Sequence, residues 1–139
     1  MSDIVVAPFE TAHYAEARAL WEGTPGVGLS AADSPEGIAA FLVRNPGLSL
    51  VALDAGLLVG TILCGHDGRR GLIHHLVVAA SHRRRGLARQ LLTQGLAGLK
   101  REGIARAHPM VYATNEAGMA FWRAVGIERT EITLFSVDV

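Results

Sequence analysis

The sequence predicts one α/β (α+β) domain over residues 1–139, with a single mixed, mostly antiparallel sheet, helices on both faces and the order β-α-α-β-β-β-α-β-α-β. Three observations carry this. Apolar, β-branched runs at 48–53, 57–64 and 72–79 follow one another across turn-forming residues, the pattern of an antiparallel meander. The period then changes, because Leu87, Leu91, Leu92, Leu96 and Leu99 line one stripe of a helix over 84–102. Half of the 139 residues are apolar, which supports one sizeable core and is short for two.

Taken in order, residues 4–9 form a short β-rich run, and Thr11 offers a cap for a helix that carries Ala15, Ala19 and Leu20 and stops at Gly23. Residues 24–30 are rich in turn formers and read as a rim. Ser34-Pro35-Glu36 then supplies a cap, a first-turn proline and a first-turn acid for a second helix, which ends near Asn45-Pro46. The meander turns at Asp54-Ala55-Gly56 and again over 66–71, and Gly103 ends the long helix. Residues 106–113 are a further strand candidate, Asn115 caps a short helix closed by Gly126, and 132–137 read as a final strand.

Composition excludes several classes of partner. Thirteen basic residues balance thirteen acidic ones, so the chain lacks the overall field that would hold nucleic acid or an anionic membrane surface. Cys64 stands alone, which rules out an intramolecular disulfide and makes the cytoplasm the simplest compartment. The start, Met1-Ser2-Asp3-Ile4, lacks a basic stretch followed by a long apolar run, so a targeting segment is not expected. The histidines show no His-x-x-x-His spacing and Cys64 has no nearby ligand partner, so no metal is expected.

The junction between the run at 72–79 and the leucine-striped helix carries the chemistry. A helix start leaves about four backbone N–H groups unpaired and carries roughly half a positive charge, which suits a phosphate if the backbone can come close. Gly86 and Ala88 permit that approach, and Arg83, Arg84, Arg85 and Arg89 add guanidinium charge. Hydrogen bonds to charged groups contribute ~1.5–3 kcal/mol each against ~0.3–1 kcal/mol for the dipole, so amides and arginines dominate. The competing reading is a solvated basic turn.

Arg83-Arg84-Arg85-Gly86-Leu87-Ala88 resembles the Gln/Arg-x-x-Gly-x-Gly/Ala signature of the GNAT superfamily of N-acetyltransferases, and it follows a Leu76-Val77-Val78 strand as that family requires. Asn115 with Phe121-Trp122 and Gly126-Ile127 is similar to the family's second signature. Leu20-Trp21-Glu22, Gly60-Thr61 and the glycine-bounded turn at 65–71 resemble a YpeA-like bacterial branch.

The resemblance implies acetyl-CoA as cosubstrate and acetyl transfer, by direct attack, to a primary amine of a small molecule or peptide; the alternative is a non-catalytic acyl-CoA-binding module. It implies that residues 83–89, including Gly86, Leu87 and Ala88, hold the CoA pyrophosphate. Leu76, Val77 and Val78 would line the pantetheine, with the Val78 amide at the acetyl carbonyl, while Asn115, Phe121 and Trp122 would flank the other side. The strands at 72–79 and 106–113 would splay to admit the cofactor, and a homodimer is compatible with the class.

Catalytic groups are less evident. Trp122 stands where the family often has a tyrosine acid, and Leu72 and Met110 stand where some members carry a glutamate. His74 matches a strand histidine that arylalkylamine acetyltransferases use through water, alternates in phase with Leu76 and Val78, and is the candidate base, the other reading being a strand residue satisfied by a polar neighbour; His75 points the other way. Trp21 and Glu22 are candidates for an aromatic wall and a carboxylate at the acceptor, with core packing the other reading of Trp21. His66 and Asp67 either face the acceptor or shape a hairpin. Cys64, ending an apolar strand, reads as a buried small hydrophobe rather than an acyl carrier.

Overall fold

Five strands in the order β1-β2-β3-β4-β5 form one sheet in this computed structural model, which describes residues 3–139. Met1 and Ser2, where the segment read for a targeting signal begins, lie outside the described residues. β1 (Ile4–Pro8), β2 (Leu50–Asp54), β3 (Leu57–His66) and β4 (Gly71–Val78) pair antiparallel in succession, and the short β5 (Ala107–Pro109) joins β4 in parallel. Between β2 and β3 the turn residues Ala55 and Gly56 both have positive φ, 50° and 83°, matching the right-handed twist of the strands they link.

Helices cover both faces, as the sequence predicts. α1 (Tyr14–Glu22) and α2 (Pro35–Arg44) bury Ala17, Trp21 and Ile38 against Val51, Leu63 and Val77. On the opposite face α3 (Leu87–Arg101) packs Leu87, Leu91, Leu92 and Leu99 onto Ile62, Cys64 and Ile73, each leucine contributing roughly 1.5–3 kcal/mol by leaving water. Leu96 of the same stripe lies at its edge and is 41% exposed. Gly95 lets the helix approach the sheet, since a Cβ there would stand 2.8 Å from Cys64 Sγ. α4 (Glu116–Val125) rests on this core through Phe121, Trp122 and Val125.

Four boundaries differ from the sequence reading. Glu10, not Thr11, stands at the cap position, and it caps a single 3-10 turn (Thr11–His13) ahead of α1. α3 starts at Leu87 rather than near residue 84, because Arg84 and Gly86 have φ of 63° and 75°, which no right-handed helix accommodates. The strand over 106–113 shrinks to Ala107–Pro109, beyond which the chain leaves β4. The final strand over 132–137 does not form. The edge at β5 is three residues long and ends on Pro109, which has no N–H to donate, and Ile132, Leu134, Phe135 and Val137 remain exposed.

The fifth difference lies inside β4. Val77 faces Thr61 and His74 faces Leu63, so His75 and Leu76 together stand opposite Ile62, with His75 at φ 47°. This is a bulge, and it shifts the alternation of side chains. His74 and His75 therefore share the face of α1 and α2, the first edge-on to Phe41 with ring centroids 6.0 Å apart and the second 4.6 Å from the Trp21 ring. Leu76 and Val78 pack on the α3 side. His74 is thus out of phase with Leu76 and Val78, contrary to expectation, and His75 does not point away from it.

Candidate active site

Pairing between β4 and β5 ends at Ile73 and Pro109. Beyond it the strands diverge and leave a cleft of about 410 Å³, walled by His74, His75, Leu76 and Val77 on one side and by Met110, Val111 and Tyr112 on the other. Asn115, Gly118 and Trp122 close one end, and Gly26, Val27 and Gly28 of the α1–α2 connection cross the mouth. Those glycines are required by packing, because a Cβ at Gly26 would meet the Asn115 side chain at 2.8 Å and Gly28 has no room for one beside the Tyr112 ring. Another depression, of about 540 Å³, lies beside the end of α3 between Leu96, Lys100, Ile104 and Arg106. It holds no histidine, whereas two histidines line the first cleft.

At the end of β4 the arginine turn leads into α3. A 3-10 turn, Ala80–His82, is tied down where His82 Nε2 lies 2.7 Å from Asp54 Oδ2, and Arg83 Nε donates to the Val78 carbonyl at 3.1 Å. Gly86 occupies the N-cap with no side-chain hydrogen bond, and the first helical bond runs from Gln90 N to Gly86 O at 3.0 Å. The N–H groups of Leu87, Ala88 and Arg89 therefore precede the helical ladder. A Cβ on Gly86 would meet nothing within 4 Å, so the space before these amides is open. Arg83, Arg84, Arg85 and Arg89 are exposed around it, while the Leu87 side chain is buried and leaves only its backbone for a ligand. Open amides ringed by guanidinium groups fit the diphosphate of a coenzyme A thioester.

Around the histidines the polar groups are interlocked. His75 Nε2 lies 2.6 Å from Asp33 Oδ1, and Asp33 Oδ2 accepts the Ser30 N–H at 3.0 Å. Tyr14 and Arg18 of α1 both donate to the Asp33 carbonyl, at 2.6 and 3.2 Å. The fully buried Trp21 donates from Nε1 to Thr61 Oγ1 at 2.9 Å, and the Thr61 hydroxyl donates onward to the His75 carbonyl at 2.7 Å. Burial lowers the His74 pKa from its ordinary value, with a further contribution from His75, while the charge of Asp33 acts in the other direction.

The residues expected at the acceptor do not assemble there. Trp21 is core, with its ring 4.6 Å from that of the cleft-lining His75, and Glu22 pairs on the surface with Arg18 at 3.6 Å. His66 lies 3.3 Å from Glu102, and Asp67 accepts the backbone N–H groups of Arg69 and Arg70, so both shape the β3–β4 hairpin. Those Arg70 and Arg69 N–H groups also hold the Asp67 carboxyl below its usual range. Asn115 caps α4 by accepting from Gly118 N at 3.0 Å while also lining the cleft, and Phe121 packs edge-on to Trp122. Asp33 escaped the sequence reading. For Asp33 a signal existed: Ser30-Ala31-Ala32-Asp33 has capping-box spacing, with the acid three residues after the cap.

Comparison with known proteins agrees with this geometry. The sequence model of the acetyltransferase (GNAT) family matches residues 14–127. An acetyltransferase from Photorhabdus laumondii is 36% identical over 107 residues, covering 74% of this chain and 68% of its own. One from Sodalis glossinidius is 33% identical over 93 residues, covering 67% of this chain; the matched segment spans 66% of that relative. Among solved structures, PaiA N-acetyltransferase from Thermoplasma acidophilum in complex with coenzyme A superposes with a TM-score of 0.78 at 18% identity, over 94% of this chain and 93% of that one. At that identity the likeness concerns the fold.

Proposed function

Because this chain belongs to the acetyltransferase (GNAT) family, we propose that it transfers the acetyl group of acetyl-CoA to a primary amine, of a small molecule or a peptide, in the cytoplasm. The observation that carries this reading is the uncapped start of α3, ringed by exposed arginines, at the end of the strand that walls the cleft. Acetyl-CoA supplies an activated thioester. Arg83, Arg84, Arg85 and Arg89, with the N–H groups at the start of α3, hold its diphosphate. The backbone of Leu76, Val77 and Val78 orients the pantetheine arm from one side, and Asn115, Phe121 and Trp122 bound it from the other.

An alkyl ammonium has a pKa near ~10.4 and must lose a proton before it attacks. The histidines lining the cleft are the acceptors at hand. An N–H of the Val78 segment stabilises the oxyanion, a term worth ~2.7–4 kcal/mol in comparable sites, and holding both reactants in one cleft supplies up to ~7–11 kcal/mol more. Trp122 is not an acid, so the departing thiolate takes its proton from nitrogen or solvent. Attack is direct: burial pushes the Cys64 thiol up to about 12, and Cys64 faces α3 away from the cleft.

The test is to follow free thiol while the purified protein turns over acetyl-CoA with a panel of alkylamines, amino sugars and peptide N-termini. Acceptor-dependent thiol release is expected. Tight coenzyme A binding with no release for any amine would replace this reading by that of an acyl-CoA-binding module.

A further inference from the structure

We infer that His75, held by Asp33, is the group that takes the proton from the acceptor amine; the inference rests on the acetyl-transfer reading above and names the base within it. Asp33 is fixed from several directions. The Asp33 carboxylate is anchored by Ser30 N on Oδ2, its own carbonyl is gripped by Tyr14 and Arg18, and the residue is only 8% exposed. Oδ1 faces His75 Nε2 at 2.6 Å, so the proton of a neutral imidazole resides on Nε2 and the lone pair on Nδ1. Nδ1 makes no hydrogen bond among the described residues, while no buried side-chain nitrogen or oxygen among them lacks a partner. That atom is therefore accessible, and the space His75 borders is the cleft.

The bulge is what makes this possible. A regular β4 would set His74 and His75 on opposite faces, whereas φ 47° at His75 places both on the side of α1 and α2 and leaves His75 between the Trp21 ring and the opening. Thr61 clamps the bulged peptide by donating to the His75 carbonyl. His74 makes no hydrogen bond to a carboxylate among the described residues: it packs against Phe41, and burial favours its neutral form against the opposing charge of Asp33. Asp33 acts as a positioning residue, holding tautomer and ring orientation.

The step balances as follows. The ammonium transfers one proton to His75 Nδ1, and the freed nitrogen lone pair forms the C–N bond at the acetyl carbon. The C–S bond breaks with its electron pair on sulfur, which takes up the second proton from nitrogen. His75 then returns the first proton to solvent.

The groups that bear on its pH dependence are Asp33 from the α1–α2 connection, Tyr14 and Arg18 of α1 through the Asp33 carbonyl, His74 on β4 and Tyr112 across the cleft; β3 contributes only the neutral Thr61.

Two measurements test the assignment. In the first, His75→Gln is assayed with the panel amine that wild type acetylates fastest, and is expected to lose roughly 10²–10⁴-fold in kcat with the KM for acetyl-CoA unchanged. The deficit shrinks as pH rises toward the amine's own pKa, where no base is needed, and is smaller for weakly basic amines. A pH-dependent deficit of this kind in His74→Gln with none in His75→Gln assigns the proton to His74 and overturns the proposal. A His75→Gln loss that is constant across pH and amine basicity, or no loss, overturns the proposal.

In the second, nitrogen NMR of the wild-type chain at about pH 9, above the ordinary imidazole range near ~6.5, reports an Nε2–H tautomer for His75, and Asp33→Asn mixes the two tautomers. An Nδ1–H tautomer in wild type overturns it without any acceptor. If no panel amine is acetylated, the transferase reading fails instead, and the tautomer still decides the orientation of His75.

Discussion

The Trp21 indole N–H donates to the Thr61 hydroxyl across 2.9 Å, and neither residue is exposed at all. This bond joins α1 to the central strand of the sheet, and through the Thr61 hydroxyl it reaches the His75 carbonyl at the bulge.

Thr61→Val keeps the side-chain shape but leaves the indole N–H without its acceptor and the bulged carbonyl without its donor. An unsatisfied buried donor costs about 1–3 kcal/mol, so the urea midpoint falls by the corresponding amount. A double-mutant cycle with Trp21→Phe returns a coupling of the same order, because the two residues share one bond.

At the start of α3, Gly86→Glu places a side chain at φ 75° and a negative charge in front of the open amides. The backbone strain costs about 1–2 kcal/mol of stability. The larger consequence is for coenzyme A, whose affinity measured by calorimetry drops at least about tenfold, the equivalent of one lost charge-assisted hydrogen bond. An unchanged affinity would remove the arginine turn from the binding site.

Cys64 makes the alkaline limit of stability measurable. Burial raises its pKa from 9.0 to about 12, so between these values the unfolded thiol ionises while the folded one stays protonated. Its contribution is complete below pH 9 and is lost as pH rises toward 12. Thermal melts of wild type against Cys64→Ala at increasing pH check this: the wild type loses Tm faster over that window. In the native protein the thiol also resists thiol reagents at pH 8 until the chain unfolds.

Sequence alone determined the features that local physics writes into a few neighbouring residues. Ser34 and Asn115 cap α2 and α4 because an oxygen one turn ahead can reach a free N–H, at 3.0 Å in both cases. The leucine stripe of α3 follows from its period, and the start of that helix without a side-chain cap follows from Gly86. Tertiary structure alone decided that His74 and His75 share one face of the sheet and both line the cleft. The bulge exists only in register with β3, and one extra residue there reverses the face read from simple alternation. It also decided the partner, since Asp33 and His75 lie 42 positions apart and meet only when the α1–α2 connection folds onto β4. The apolar run at 132–137 shows the same limit: strand-forming composition yields no strand beside β5, whose edge is three residues long and ends in proline.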